Sequence, residues 1–318
     1  AKGYSPQVHA FNIVGSFVNQ KAVSSHVDAY LDRILVSILE GYTSPDWSVR
    51  NSATIAFNIV VKRRVATSNF AEFFARFPQL YKHMLAHIGA MCQAGSSDKL
   101  QSSLFAVLTL LSRLHPSVSL SASAAAAAAT ASEGDNEEAS TSATASPSKL
   151  PELSFVPEPF IPHVRSCAAQ PTFKIREAAA FALVPLVRPE RIAATLLDLC
   201  EALPTQGSKA QSSNFVHGTL LQLEKLLKHG IAQMGAAAVT PALVKSLSER
   251  LWLAAAPCSP IGLIMLKVIR ALLGVIPFTP SSAADSDVVA TFTSFWPQAL
   301  CAARAALEFH AAGVYDGT

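Results

Sequence analysis

The segment "SPDWSVRNSATIAF" (residues 44–57) and its partial echo "QPTFKIREAAAFAL" (residues 170–183) decide the fold. Each has a proline, a short turn, a β-branched residue followed by arginine, and then small residues leading into an apolar helix-length run. Small residues let a helix approach its neighbour closely. An arginine at such a corner can donate to helix-end carbonyls that lack a partner inside their own helix, or to a carboxylate of an adjacent repeat. Arg50 and Arg176 lie 126 residues apart, close to three units of about 42 residues, within the length range of HEAT and armadillo repeats. The fold expected is all-α: an α-solenoid of HEAT/armadillo-like helical repeats with a disordered insertion.

Outward from the first corner, "SSHVDAYLDRILVSILEGY" places Val27, Tyr30, Leu31, Ile34, Leu35 and Ile38 at spacings of three and four, which predicts one amphipathic helix stopped at Gly41. A helix starting near Asp46 or Trp47 is expected to run to about Arg64. Similar segments cover roughly 5–19, 78–93, 98–114, 174–187, 189–203, 211–229, 241–255, 260–276 and 286–312. Period-two segments between hairpin turns are absent from the sequence. Half of the residues are apolar and only 15% are charged, a mixture that suits packed helices.

Residues 116–150 break the pattern. They are rich in Ser, Ala and Thr, carry one acidic cluster, "EGDNEEAS", and hold too little periodic apolar side chain to offset the entropy of ordering. The organisation expected is helical repeats over 1–115, a low-complexity disordered insertion over 116–150, and repeats continuing the solenoid over 151–318. Ser146 and Lys149 match an S-x-x-K pattern, but no S-D-N or K-T-G partner accompanies them. The opening lacks an initiator Met and a signal-peptide pattern, which suggests a segment of a longer protein. No stretch is long and apolar enough to span a bilayer, so no membrane span and a cytoplasmic location are expected. Cys92, Cys167, Cys200, Cys258 and Cys301 are odd in number, far apart and set mainly among apolar residues, which reads as buried free thiols.

The formal charge of +3 is uneven: residues 1–115 carry 11 Lys/Arg against 6 Asp/Glu, whereas 116–160 carry 1 against 6. A basic excess of this size favours anionic partners weakly and is also common on ordinary solvated surfaces. Phosphate-loop, dinucleotide, nucleophile-elbow and zinc-protease motifs are all missing. His83 and His87 share a helix face at metal-ligand spacing but have no evident third ligand. Lys62, Arg63 and Arg64 end the first-corner helix, where cations favour the helix dipole; Arg76 sits among Phe73, Phe74, Phe77 and Tyr81. The same cations suit contact with RNA phosphates along a solenoid surface.

Together, "PQVHAFNIV" (6–14), "GYTSPDWSVRNSATIAF" (41–57), "EFFARFPQLY" (72–81), "PFIPHVRSCAAQPTFKIREAAAFALVPLV" (159–187) and "NFVHGTLLQLEKLL" (214–227) resemble the thyroid adenoma-associated protein family. That resemblance implies a non-catalytic helical-repeat scaffold supporting 2′-O-ribose methylation of the tRNA anticodon loop. The partners implied are an FtsJ-like tRNA 2′-O-methyltransferase, which would carry S-adenosylmethionine, and the tRNA itself; no cofactor is expected on this chain. Arg50, Asn51, Lys62, Arg63, Arg64 and Arg76 are the candidate contacts to partner or tRNA. Trp47, Ser52, Phe77, Pro78, Arg176, His217 and Gly218 match family motifs and are expected to serve packing, with Trp47 filling a buried corner. The family's Arg-Arg-Ser-Ala-Gly-containing motif falls upstream of the region resembled, and the link between "VVKRRV" and "EFFARFP" is shorter here than in many relatives. The alternative reading is a general protein-interaction α-solenoid without an RNA role.

Overall fold

A computed structural model of the chain describes residues 5–65, 69–93, 98–115, 155–209, 211–275 and 286–315. The low-complexity segment expected over 116–150, with Ser146 and Lys149, lies outside the described residues. The described chain is helical, with one isolated backbone bridge, between Asn69 and His115.

The helices are α1 (Pro6–Asn19), α2 (Lys21–Val27), α3 (Leu31–Gly41), α4 (Trp47–Arg64), α5 (Phe70–Arg76), α6 (Pro78–Gln93) and α7 (Asp98–Leu111). After the acidic segment follow α8 (Ile161–Ser166), α9 (Phe173–Leu183), α10 (Ile192–Glu201), α11 (Ser213–Met234), α12 (Pro241–Ser248), α13 (Ser259–Leu273) and α14 (Ser286–Tyr315). They stack in two rows. In one, α1 packs on α4, α7 on α9, α9 on α11 and α11 on α13; in the other, α3 packs on α6, α6 on α8, α10 on α12 and α12 on α14. Contacts of α3 with α4, α8 with α9 and α10 with α11 join the rows. This is the helical-repeat solenoid that the periodicity implies.

Sequence and structure differ where short turns intervene. The single helix expected before Gly41 is broken by a 3₁₀ turn at Asp28–Tyr30. The break turns Asp32 towards α6, where its carboxylate accepts from Gln79 N (3.1 Å) and Leu80 N (2.8 Å). Asp32 therefore caps another helix, whose first residue is Pro78. The short helices α5 and α8 were not anticipated, since seven and six residues are too few to display a 3.6-residue period.

One core runs through both halves of the chain. Phe70, Phe74 and Tyr81 pack against Phe160 at centroid distances of 6.0, 6.2 and 5.3 Å. The Tyr81 hydroxyl donates to Val156 O at 3.0 Å. The aromatic cluster thus joins residues before the acidic segment to residues after it.

At α11 a helix comes close to the backbone of a neighbouring turn. A Cβ built on Gly218 would lie 2.2 Å from Ala168 O and 2.6 Å from Ala168 Cα, and one turn later Gln222 Nε2 donates to Val164 O at 3.0 Å. Only a glycine admits the turn at Cys167–Ala169 against this helix. Gly218→Ala is expected to lower stability by about 3 kcal/mol in urea denaturation. At Gly89 the nearest atom would be the His163 ring at 3.4 Å, so Gly89→Ala is expected to be neutral or stabilising by up to about 1 kcal/mol.

Candidate functional site

Both arginine corners are built the same way. Asp46 caps α4, its Oδ1 accepting from Ser48 N and Ser48 Oγ, both at 2.8 Å. One turn on, Arg50 Nη1 reaches back to Ser44 O (2.7 Å) and Pro45 O (3.0 Å). Arg176 Nη1 makes the equivalent bonds to Gln170 O (2.7 Å) and Pro171 O (2.8 Å). In each case the acceptors lie six and five residues upstream. The matching continues outward: Val49 and Ile175 are buried, as are Ala53 and Ala179, while Ile55 and Phe181 are both exposed.

Trp47 corrects the sequence reading. It is 68% exposed, and its counterpart Phe173 is 49% exposed. Position 47 is two residues from buried Val49, about 200° around the helix, and so faces away from the core. The corner is closed by guanidinium-to-carbonyl bonds instead.

The second corner is the more deeply set. Arg176 also donates to Asn214 Oδ1 (2.9 Å) and to His217 Nδ1 (3.4 Å), tying α9 to α11 with a charge that is 8% exposed. Burial, reinforced by the Arg176 charge, pushes the His217 imidazole below its ordinary value. That keeps Nδ1 free to accept. Gly218, next in sequence, supplies the close approach to Ala168, and Ser52 is buried in the first corner's helix.

The candidate contacts do not converge. Arg50 spends its guanidinium on the corner carbonyls, whereas Asn51 is exposed beside it. Lys62 and Arg63 are exposed at the other end of α4, about 20 Å away along the helix axis. The Arg64 side chain lies outside the described residues. Arg76 is exposed at the end of α5, its guanidinium 5.3 Å from the ring centroid of Phe77. Phe77 is buried and Pro78 starts α6. His83 and His87 stack at 5.6 Å, but His87 Nε2 is taken up by Ser103 Oγ at 2.5 Å. No group of three or more metal-ligating side chains occurs among the described residues. Cys167 and Cys200 are buried and outside any disulfide, but Cys258 is only partly buried and Cys301 is exposed, and the Cys92 side chain lies outside the described residues.

What the sequence did not reveal is a pair of clefts on the outer side of the α7–α9–α11–α13 row. A cleft of about 550 Å³ is lined by Phe173, Glu177, Leu221, Leu263 and Lys267. A second, of about 410 Å³, is lined by Phe105, Arg113, Lys174, Glu177 and Phe181. At their junction Lys225 Nζ lies 4.6 Å from the Phe181 centroid and 3.3 Å from Glu224; Lys228 pairs with the same carboxylate. Burial raises the Glu224 carboxyl, but hydrogen bonds and charge from Lys228 and Lys225 outweigh it and hold the group below its ordinary value. The outward set of Phe173 and Phe181 was visible only as an eight-residue spacing in the echo. Their exposure depends on which side of α9 meets α7 and α11.

The two rows of helices, the repeated corner and the cleft-bearing face define a helical-repeat protein. A profile of the family described as "Trm732, C-terminal TPR repeats" matches residues 50–133 and 141–226, more than half of the chain. The chain belongs to that family. It is 31% identical over 274 residues to the tRNA (32-2'-O)-methyltransferase regulator THADA of Gallus gallus, covering 79% of this chain and 13% of the relative. Identity to the Mus musculus protein of the same name is 30%, over 72% of this chain and 11% of the relative. The tRNA (32-2'-O)-methyltransferase regulator trm732 of Schizosaccharomyces pombe is 24% identical over 34% of this chain and 8% of its own length. The chain thus spans a small fraction of each relative it matches. No solved structure matches it.

Arg50→Ala is expected to cost about 1 kcal/mol and Arg176→Ala about 3 kcal/mol, because the second leaves more buried acceptors unsatisfied. Paired chemical denaturation curves test that order. Burial also lowers His87 and His229, so with His217 the unfolded chain binds protons that the folded one refuses. The resulting stabilisation is complete above the ordinary histidine value of about 6.5 and declines as pH falls from there towards the lowered values. Thermal melts between neutral and mildly acidic pH should show this decline, and His217→Asn should make it shallower.

Proposed function

We propose that this chain is part of a non-catalytic regulatory scaffold that supports 2′-O-ribose methylation of the tRNA anticodon loop by a partner methyltransferase. The observation that carries the reading is family membership, joined to relatives named as tRNA (32-2'-O)-methyltransferase regulators. A two-row solenoid suits the role physically. It offers a long rigid surface on which an enzyme and a tRNA are held in a productive relative geometry, which lowers the entropic barrier to their encounter.

In this reading the partner is an FtsJ-like enzyme that binds S-adenosylmethionine, and the complex acts in the cytoplasm. Asn51, Lys62 and Arg63 are exposed and remain the proposed electrostatic contacts on the first half of the chain, with Arg76 beside them in sequence. Arg50 acts at one remove by fixing the turn that presents Asn51. No helix among the described residues is long and apolar enough to cross a membrane.

The test is deletion of the full-length gene, with ribose-methylation mapping of tRNA and affinity purification of the intact protein from the parent cells. Loss of methylation in the anticodon loop together with recovery of a methyltransferase is the expected result. Unchanged methylation in the deletion strain would sink the proposal. Substituting Lys62 and Arg63 with Glu in the intact protein should weaken tRNA retention and reduce the salt dependence of that retention by about one unit of slope per lost phosphate contact.

A further inference from the structure

We propose that the outer face of the α7–α9–α11–α13 row is a docking groove for an acidic, amphipathic helix of a partner protein. The inference is independent of the methyltransferase reading, because it rests on the groove alone. On α9, Phe173, Glu177 and Phe181 recur every four residues and so form one water-facing line, with both rings nearly half exposed. The opposite side of the same helix is already buried through Ile175, Ala179 and Ala182. On α13, Leu263 is 54% exposed, with Lys267 one turn further along the same face. On α7, Phe105 is 43% exposed. Glu177 lines both clefts, so they adjoin on this face.

Charge selects the occupant. The clefts carry Arg113, Lys174, Lys225 and Lys267 against Glu177 and Glu224, and Glu224 is already neutralised by Lys225 and Lys228. Arg113, Lys174 and Lys267 are exposed. An occupant that places apolar side chains on the phenylalanines and carboxylates on these cations satisfies both features, as an amphipathic helix does when laid into a groove. RNA fits less well. Phe105, Phe173 and Phe181 offer planes to a base, but Leu221, Leu263, Ile264, Leu266 and Pro260 make the wall of the first cleft largely aliphatic, and Glu177 would face the phosphates.

The experiment uses the intact chain and fluorescence anisotropy with three labelled probes. The first is a peptide of about five helical turns with Leu and Phe at i, i+3, i+4 and i+7 and Glu on the flanks. The second has Lys in place of Glu, and the third is an oligouridine. The acidic peptide is expected to bind with a Kd on the order of 10 μM, and the basic peptide at least about tenfold more weakly, a difference of 1.4 kcal/mol. Leu263→Ser and Lys267→Glu alter exposed positions, so circular dichroism melts should match the parent. Each is expected to weaken the acidic peptide about tenfold, whereas Lys62→Glu, on α4, leaves it unchanged. Equal binding of the two peptides, no binding of the acidic one, or binding indifferent to both α13 substitutions would overturn the proposal. So would oligouridine binding that these substitutions abolish while the acidic peptide fails to bind.

Discussion

Two matching corners of the fold are each closed by a guanidinium over a proline-containing turn. A helical repeat must reverse direction between its two helices, and the chain that turns leaves carbonyls with no partner in either one. Arg50 and Arg176 each lie one turn inside the following helix and take two such carbonyls on one nitrogen. The corner is thereby fixed without a disulfide, a metal or a large side chain. Once it is fixed, the register of Val49, Ala53 and Ala56, or of Ile175, Ala179 and Ala182, against the neighbouring helices follows from the helical period.

The two corners diverge in depth, and the difference shapes the molecule. The first relies on Asp46 and local backbone alone, so Arg50 remains partly exposed. The second adds Asn214 and a neutral His217 from α11, and is covered by the approach of Gly218 to Ala168. A buried guanidinium without a carboxylate partner is tolerated because four acceptors surround it. This junction holds α9, α11 and the turn at Cys167–Ala169 together. The cleft-bearing face is therefore carried on a closely packed junction of α9 and α11.

Family membership and the cleft face are separate observations. Family relatives are named as regulators of a tRNA methyltransferase, which frames the role of the intact protein. The face on α7, α9, α11 and α13 has its own chemistry: phenylalanines turned to water, lysines at the rim and a carboxylate that two lysines neutralise. Solenoids routinely bind more than one molecule because successive helices offer long, separable surfaces. Here the exposed cations of α4 and the clefts of the later helices lie on different helices of the chain.

Sequence alone determined the helical class, the positions of the long helices and the repeated corner, because these follow from period, proline placement and the reach of an arginine side chain. Among the motif positions, Phe77 is buried, Pro78 begins α6, and a side chain at Gly218 would clash with the Ala168 backbone. Tertiary structure alone decided that Trp47 faces water, that Asp32 caps a helix 46 residues further on, and that Phe173 and Phe181 line a groove with Lys225 and Lys267. A hydrophobic side chain at helical spacing reads the same whether a neighbouring helix covers it or not. Local periodicity specifies a face, and only the packing of non-adjacent helices determines whether that face is buried or left open to a partner.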